Sequence, residues 1–292
     1  AAISIPDRSL PAEAGSHPID SSGITGGPAI VDATLMVQRE VADRLDLVTR
    51  RFATAAVIAA DPDHIAERLM PSGKIDRVVP FAPAADEVLG LEAESFDAIF
   101  SILDLQTAND VPGLLVQMRR ALRPDGLFLA CLLAGDSLTE RRQSWLAAEV
   151  LITGGVSPRV APMIGMQELG ALLQRAGFAL PVADLDRTIV RYADAVSLIH
   201  EIRALGYSNP LAGRSRKPVT RGLLGAAVNA YHANFADTDG RIRATLEVAW
   251  LTGWAPHESQ QQPLKPGSAK ARLADALRVP EQKLRADRSD GE

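Results

Sequence analysis

The chain has 292 residues, 47% of them hydrophobic and 23% charged, with a net charge of −5 and a single cysteine. That is enough chain to bury a sizeable core in an ordinary globular protein. The acidic balance argues against nucleic acid as the main partner, and one cysteine excludes a disulfide framework or a Cys-based zinc site.

Residues 1–28 are rich in Pro, Ser, Gly and Ala and read as a mobile tail without a signal-peptide pattern. No apolar run reaches the roughly 20 residues that cross a bilayer, so no transmembrane segment is expected and the cytoplasm is the expected compartment. Residues 30–52 carry apolar side chains at helical spacing (Leu35, Val37, Val41, Leu45, Val48, Phe52) and predict an amphipathic helix. Residues 55–60 are a short apolar run, predicted as a buried strand. Asp61 followed by Pro62 predicts a capped helix to about Met70. Residues 74–79 predict a second strand and 80–83 a loop.

Residues 96–105 predict a third strand and 110–122 a helix, with Asp110 as cap and Pro112 in the first turn. Pro124-Asp125-Gly126 predicts a turn, and 127–133 another buried strand that holds Cys131 as a small core residue. Helices follow over 137–152 and 166–176. Residues 183–192 alternate and predict a strand; 194–205 and 222–235 predict helices. Residues 241–251 predict the last strand. The final forty residues are polar, with a short helix expected near 269–277. Alternating strands and helices imply βαβ units, a doubly wound and mainly parallel sheet, and a helical insertion at about 194–235. The domain is expected to run over 29–264, followed by a polar tail at 265–292.

In such a sheet the ligand crevice lies at the carboxyl ends of the strands. The first strand should end in a glycine turn, because a Cβ blocks approach to backbone amides. The turn here reads Ala59-Ala60-Asp61-Pro62-Asp63-His64, without glycine, and Pro62 removes a donor. No acid directly follows the second strand; Asp86 and Glu87 come later. By strand-end position, Asp61, Asp86, Ser101, Asp104 and Gln106 are the candidate cofactor-binding residues, with Asp104 or Gln106 facing a substrate. No catalytic residue can be named. The five histidines show no metal-ligand spacing, so no metal is expected, and no Gly-x-Ser-x-Gly elbow occurs. The basic run Arg214, Arg216, Lys217, Arg221 reads first as solvated surface, with a nucleotide-binding use as the alternative. The segment from Trp254 to Leu264 joins an aromatic, a titratable pair and a glutamine tract. An ordered loop that packs Trp254 is one reading; a partner-docking or site-covering element is the other.

Ser95-Phe96-Asp97-Ala98-Ile99 and the approach Arg119-Arg120-Ala121-Leu122-Arg123-Pro124-Asp125-Gly126-Leu127-Phe128 resemble the fourth and fifth strands of class I S-adenosylmethionine-dependent methyltransferases of type 11. A narrower resemblance rests on Asn109-Asp110-Val111-Pro112-Gly113, Gly154-Gly155-Val156-Ser157-Pro158-Arg159-Val160, Leu172-Leu173-Gln174-Arg175-Ala176-Gly177-Phe178 and Thr252-Gly253-Trp254-Ala255-Pro256-His257-Glu258-Ser259-Gln260-Gln261. These are similar to alphaproteobacterial relatives of mitochondrial complex I assembly factor 5, whose mitochondrial member is implicated in arginine hydroxylation of a complex I subunit.

The resemblance implies a Rossmann-like, seven-stranded methyltransferase sheet, S-adenosylmethionine as cofactor, and a protein partner, a complex I subunit among the candidates. Two departures weigh against cofactor binding. One is the glycine-free turn; the other is Gln106-Thr107, where the group would carry His-Trp. The resulting expectation is a methyltransferase-like protein with a degenerate cofactor loop that binds or modifies a protein partner in complex I assembly. The alternative is an active S-adenosylmethionine-dependent methyltransferase on a protein side chain or small molecule.

Overall fold

The computed structural model describes residues 30–83, 86–204, 209, 211 and 213–261. The predicted tail 1–28, the helix near 269–277 and the tail 265–292 lie outside the described residues. The chain divides into Ala1–His257 and Glu258–Glu292, the second described only to residue 261.

Six strands form one sheet in the first unit: β1 (Phe52–Ala59), β2 (Ile75–Phe81), β3 (Phe96–Ile102), β4 (Leu122–Leu133), β5 (Ala179–Tyr192) and β6 (Ile242–Trp254). Their order is β2-β1-β3-β4-β6-β5. The first four are parallel, while β6 runs antiparallel to both β4 and β5. The helices are α1 (Ile30–Leu47), α2 (Pro62–Leu69), α3 (Val111–Ala121), α4 (Thr139–Thr153), α5 (Met166–Arg175), α6 (Ala195–Ala204) and α7 (Arg221–Phe235). The last two fall between β5 and β6, in the stretch predicted as an insertion.

The apolar runs become strands because both faces of the sheet are covered. Successive strand residues point to opposite faces. Ala56, Ile58, Ile99 and Phe128 therefore meet α3 and α5 through Leu114, Leu115, Met118, Leu169 and Leu173. On the other face Ala55, Val57, Phe100 and Cys131 meet α1 and α2 through Val41, Leu45, Ile65 and Leu69. Beyond β4 a separate cluster joins Val190, Ile242 and Leu246 to Leu198 and Ile202 of α6 and Tyr231 of α7. Helices α4 and α7 pack through Trp145, Ala148, Leu223 and Ala227.

Several details differ from the sequence expectation. The first helix ends at Leu47, and Phe52, counted in it, opens β1 instead; β5 begins at Ala179 rather than at 183. The sheet has six strands among the described residues, not seven. The stretch between β2 and β3 holds Glu87, Gly90 and Glu94 at φ of 59°, 64° and 50°, which interrupts extended backbone. Strand β2 continues through Pro80 to Phe81, where a loop was expected. It pairs only with β1, and proline is tolerated on such an edge. Strand β4 starts at Leu122, ahead of the predicted Pro-Asp-Gly turn. The turn survives as a register break: Phe96 faces Leu122 while Ala98 faces Leu127, with Asp125 at φ 62°.

Candidate functional site

The carboxyl ends of β1 to β4 define the crevice that the topology offers to a ligand. At the end of β1, Asp61 caps α2, its Oδ1 accepting from the His64 N–H at 3.2 Å. Pro62 opens the helix and has no N–H to give. Two of the first-turn donors that could cradle an anion are thus absent or used. After β2, Asp86 Oδ1 accepts from Val88 N–H at 3.2 Å. Glu87 accepts from Asn109 N–H at 2.5 Å, Asn109 Nδ2 at 3.0 Å and Asp110 N–H at 2.8 Å. Gln117 Nε2 donates to the Glu87 carbonyl at 2.9 Å, and Gln117 Oε1 accepts from Leu89 N–H at 3.0 Å. The acid that follows β2 is therefore spent on pinning its own segment to α3 and the loop before it. Among the described residues the turn after β1 holds no glycine, and Glu87 is committed to its own segment. These residues do not fit S-adenosylmethionine in the manner its usual fold provides.

The end of β3 is tightly constrained. Ser101 is fully buried, and its Oγ has no hydrogen-bond partner. Leu103 sits at φ 51°, a left-handed conformation that costs a non-glycine residue free energy. Its N–H donates to the Cys131 carbonyl at 2.9 Å. Asp104 is buried and heads the 3₁₀ turn Leu105–Thr107. Gln106 Nε2 donates to the Leu103 carbonyl at 2.6 Å, while its Oε1 is buried without a partner.

At the end of β4 the chain turns at Gly135, φ 54°, where a Cβ would lie 2.0 Å from Glu247 Oε2. That carboxylate, carried by β6, accepts from Asp136 N–H at 2.7 Å and approaches Arg187 at 3.3 Å. Ser137 Oγ donates to the Ala134 carbonyl and accepts from Glu247 N–H. On α4, buried Glu140 accepts from Thr245 N–H at 3.0 Å and from Thr245 Oγ1 at 2.5 Å. Further along, Glu149 accepts from Ser157 N–H at 2.6 Å, Ser157 Oγ at 2.7 Å and Arg159 Nε at 2.7 Å. Burial opposes the Glu149 charge, but these bonds and the Arg159 cation outweigh it and hold the carboxyl below its usual range. Burial pushes the Cys131 thiol up to about 12, so it is no thiolate nucleophile at neutral pH.

Three cavities follow one another along this end. One of about 300 Å³ is lined by Gln106, Asn109, Met163 and Leu172. A small one of about 50 Å³ shares Gln106 and Met163 with it and adds Leu133, Arg141 and Arg159. A third, of about 400 Å³, shares Arg141, Arg159 and Asn209 with the small one and extends under α6 and the start of α7. Of the five candidate residues, Gln106 lines two of these cavities; Asp61, Asp86, Ser101 and Asp104 line none. Arg141, Glu149 and Glu247 gave no sequence signal, since each is an ordinary charged residue until the fold buries it. Arg159 stood inside a quoted motif without a role. No group of three or more His, Cys, Asp or Glu among the described residues could hold a metal ion.

The tryptophan motif lies at the other end of the sheet. Trp254 pairs with Leu127 at the amino-terminal side of β4, and Ala255 exchanges hydrogen bonds with Gly126 and Asp125. Arg50 stacks over Trp254 at 5.7 Å. A Cβ on Gly253 would stand 3.0 Å from Phe178, so the motif's glycine lets the strand close on that ring. Up to His257 the motif packs the base of the sheet; it does not cover the crevice.

Residues 44–130 match the methyltransferase-domain family of type 11. The arginine-hydroxylase NDUFAF5, mitochondrial, of Danio rerio is 32% identical over 261 residues, 83% of this chain and 81% of that protein. The Homo sapiens protein of the same name is 34% identical over 216 residues, 74% of this chain and 62% of that one. The malonyl-[acyl-carrier protein] O-methyltransferase of Laribacter hongkongensis is 31% identical over 273 residues, 82% and 89% of the two chains. Among solved structures, the YcgJ protein of Bacillus subtilis aligns at 12% identity and a TM-score of 0.49, covering 77% of this chain and 99% of that one. No helix among the described residues is long and apolar enough to cross a membrane.

Proposed function

Because the chain belongs to the class I S-adenosylmethionine-dependent methyltransferase-like superfamily, alongside the NDUFAF5 proteins, we propose that it is a methyltransferase-like protein with a degenerate cofactor loop. In this reading it acts in respiratory complex I assembly from the cytoplasm, where it binds or modifies a protein partner. The turn after β1 carries the reading: the scaffold is kept while the cofactor cradle is replaced by an Asp61–Pro62 helix cap. The name of the NDUFAF5 relatives, arginine-hydroxylase, supports modification of an arginine on a partner by the same scaffold.

A second reading, an active methyltransferase on a protein side chain or small molecule, is favoured by the likeness to a malonyl-[acyl-carrier protein] O-methyltransferase over nearly all of its length. Methyl transfer rests largely on positioning, so it needs no conspicuous base. In that reading Gln106, which lines the cavities, faces the acceptor. The two readings part on whether S-adenosylmethionine binds. The assembly role is tested by affinity capture of the tagged full chain from detergent-solubilised membranes of its own host. Co-purification of a complex I subunit is the expected result; the absence of every such subunit contradicts the role.

A further inference from the structure

The cavity beneath α6 and α7 is unusual in its charge. Its lining includes Arg141, Arg159, Arg203, Arg214 and His200, and no carboxylate. Glu149 neutralises Arg159 at 2.6 Å, and Arg159 lies over the Trp145 ring at 5.1 Å. Arg214 Nη1 donates only to the Leu211 carbonyl at 3.0 Å. Arg141 and Arg203 pair with no acid among the described residues. The Arg141 Nε is buried and has no hydrogen-bond partner. Burial holds the pKa of Arg141 below the ordinary value, and the Arg203 and Arg159 charges add to this, while Tyr231 opposes it.

A desolvated guanidinium without a counter-ion is costly, and the other cations on the same wall raise that cost. Folding keeps it there, facing a space of about 400 Å³, a size that suits a small organic ligand. The remaining wall is apolar: Trp145, Val196, Ile199, Ile202 and Leu224. One side of the cavity thus offers planar N–H forks suited to a carboxylate or phosphate, and the other offers a surface for a hydrocarbon body. Arg141 also lines the small neighbouring cavity, together with Gln106 from the end of β3.

We propose that this cavity is a binding site for a small organic anion, an acid group on an apolar stem, with Arg141 as the central ligand and Arg203 and Arg214 at its mouth. The acid group neutralises the arginine wall, and the stem packs on Trp145 and the α6 side chains. The site is built by α4, α6 and the segment before α7, away from the turn after β1. It stands whether or not S-adenosylmethionine binds.

The test uses the full chain at low ionic strength, with hexanoate, hexyl phosphate, hexan-1-ol, hexylammonium and inorganic phosphate as probes in calorimetry and thermal denaturation. Hexanoate or hexyl phosphate should bind and raise the melting temperature, less so as salt is added. Hexan-1-ol and hexylammonium should not. Arg141→Gln should weaken the anion by about tenfold or more, the loss of a charge-assisted hydrogen bond. It should also raise the melting temperature of the unliganded chain, a shift opposite to that of a damaged fold. Arg203→Gln, at an exposed position, should weaken binding several-fold and supplies the test if Arg141→Gln fails to fold. Equal shifts with hexan-1-ol and hexanoate, no anion binding at all, or binding unchanged in these variants would overturn the site. The phosphate and carboxylate arms tell the two acid groups apart.

Discussion

Single residues decide how the carboxyl end of β4 is built. Gly135 is one of them, because it combines a left-handed backbone with a Cβ position already filled by the Glu247 carboxylate. Glu247 cannot simply swing aside, since Asp136 N–H and Arg187 hold it. Gly135→Ala should therefore destabilise the protein by about 1–3 kcal/mol, measured by chemical denaturation. An unchanged midpoint would show that Glu247 relocates freely. Arg141 is the opposite case: nothing around the residue in sequence marks it, and only the fold makes its charge conspicuous. The same holds for Glu149 and Glu247, whereas the candidates chosen by strand-end position, Asp61, Asp86, Ser101 and Asp104, line none of the three cavities at that end. Gln106 is the exception. It could be placed from sequence because it follows the end of a strong strand, where a side chain must face the crevice.

Elements were legible where burial was complete. Strands β1, β3 and β4 are apolar on both faces, and their helices carry caps such as Asp61 and Asp110, whose side chains accept from His64 and Gly113 N–H groups. Edges were less legible: Pro80 extends an edge strand, and the Pro-Asp-Gly turn became a break inside β4. The link between α4 and the segment after it was invisible to pattern reading, because it depends on one buried pair, Glu149 and Arg159. This pair sets a pH response. The folded Glu149 pKa lies below the ordinary carboxyl value near 4.3, so its contribution is fully present above that value and is lost as pH falls through the folded pKa. Acid unfolding should be shallower in Glu149→Gln than in the wild type below about pH 4.5. Glu149→Ala at pH 7 should cost about 3 kcal/mol, since Arg159 loses its counter-ion. Parallel stability profiles for wild type and Glu149→Gln would remove the pair from this account.

At the scale of the whole first unit, the two ends of the sheet have parted ways. The amino-terminal end, with Trp254, Gly253 and Arg50, holds one of the motifs behind the family resemblance, and there it packs against Phe178 and the Arg50 guanidinium. The carboxyl end holds the cavities near Gln106 and Arg141, a helix cap at Asp61 in the turn after β1, and a Glu87 bound to the loop before α3. The absence of glycine from that turn was legible in sequence because a close approach to backbone amides calls for a single residue type. The diversion of Glu87 was not, because its partners lie more than twenty residues away. The central claim, that a methyltransferase scaffold here has lost its cofactor cradle, is tested by titrating S-adenosylmethionine into the full chain in a calorimeter. The account predicts no binding heat and no thermal shift up to millimolar ligand; saturable binding in the micromolar range would contradict it.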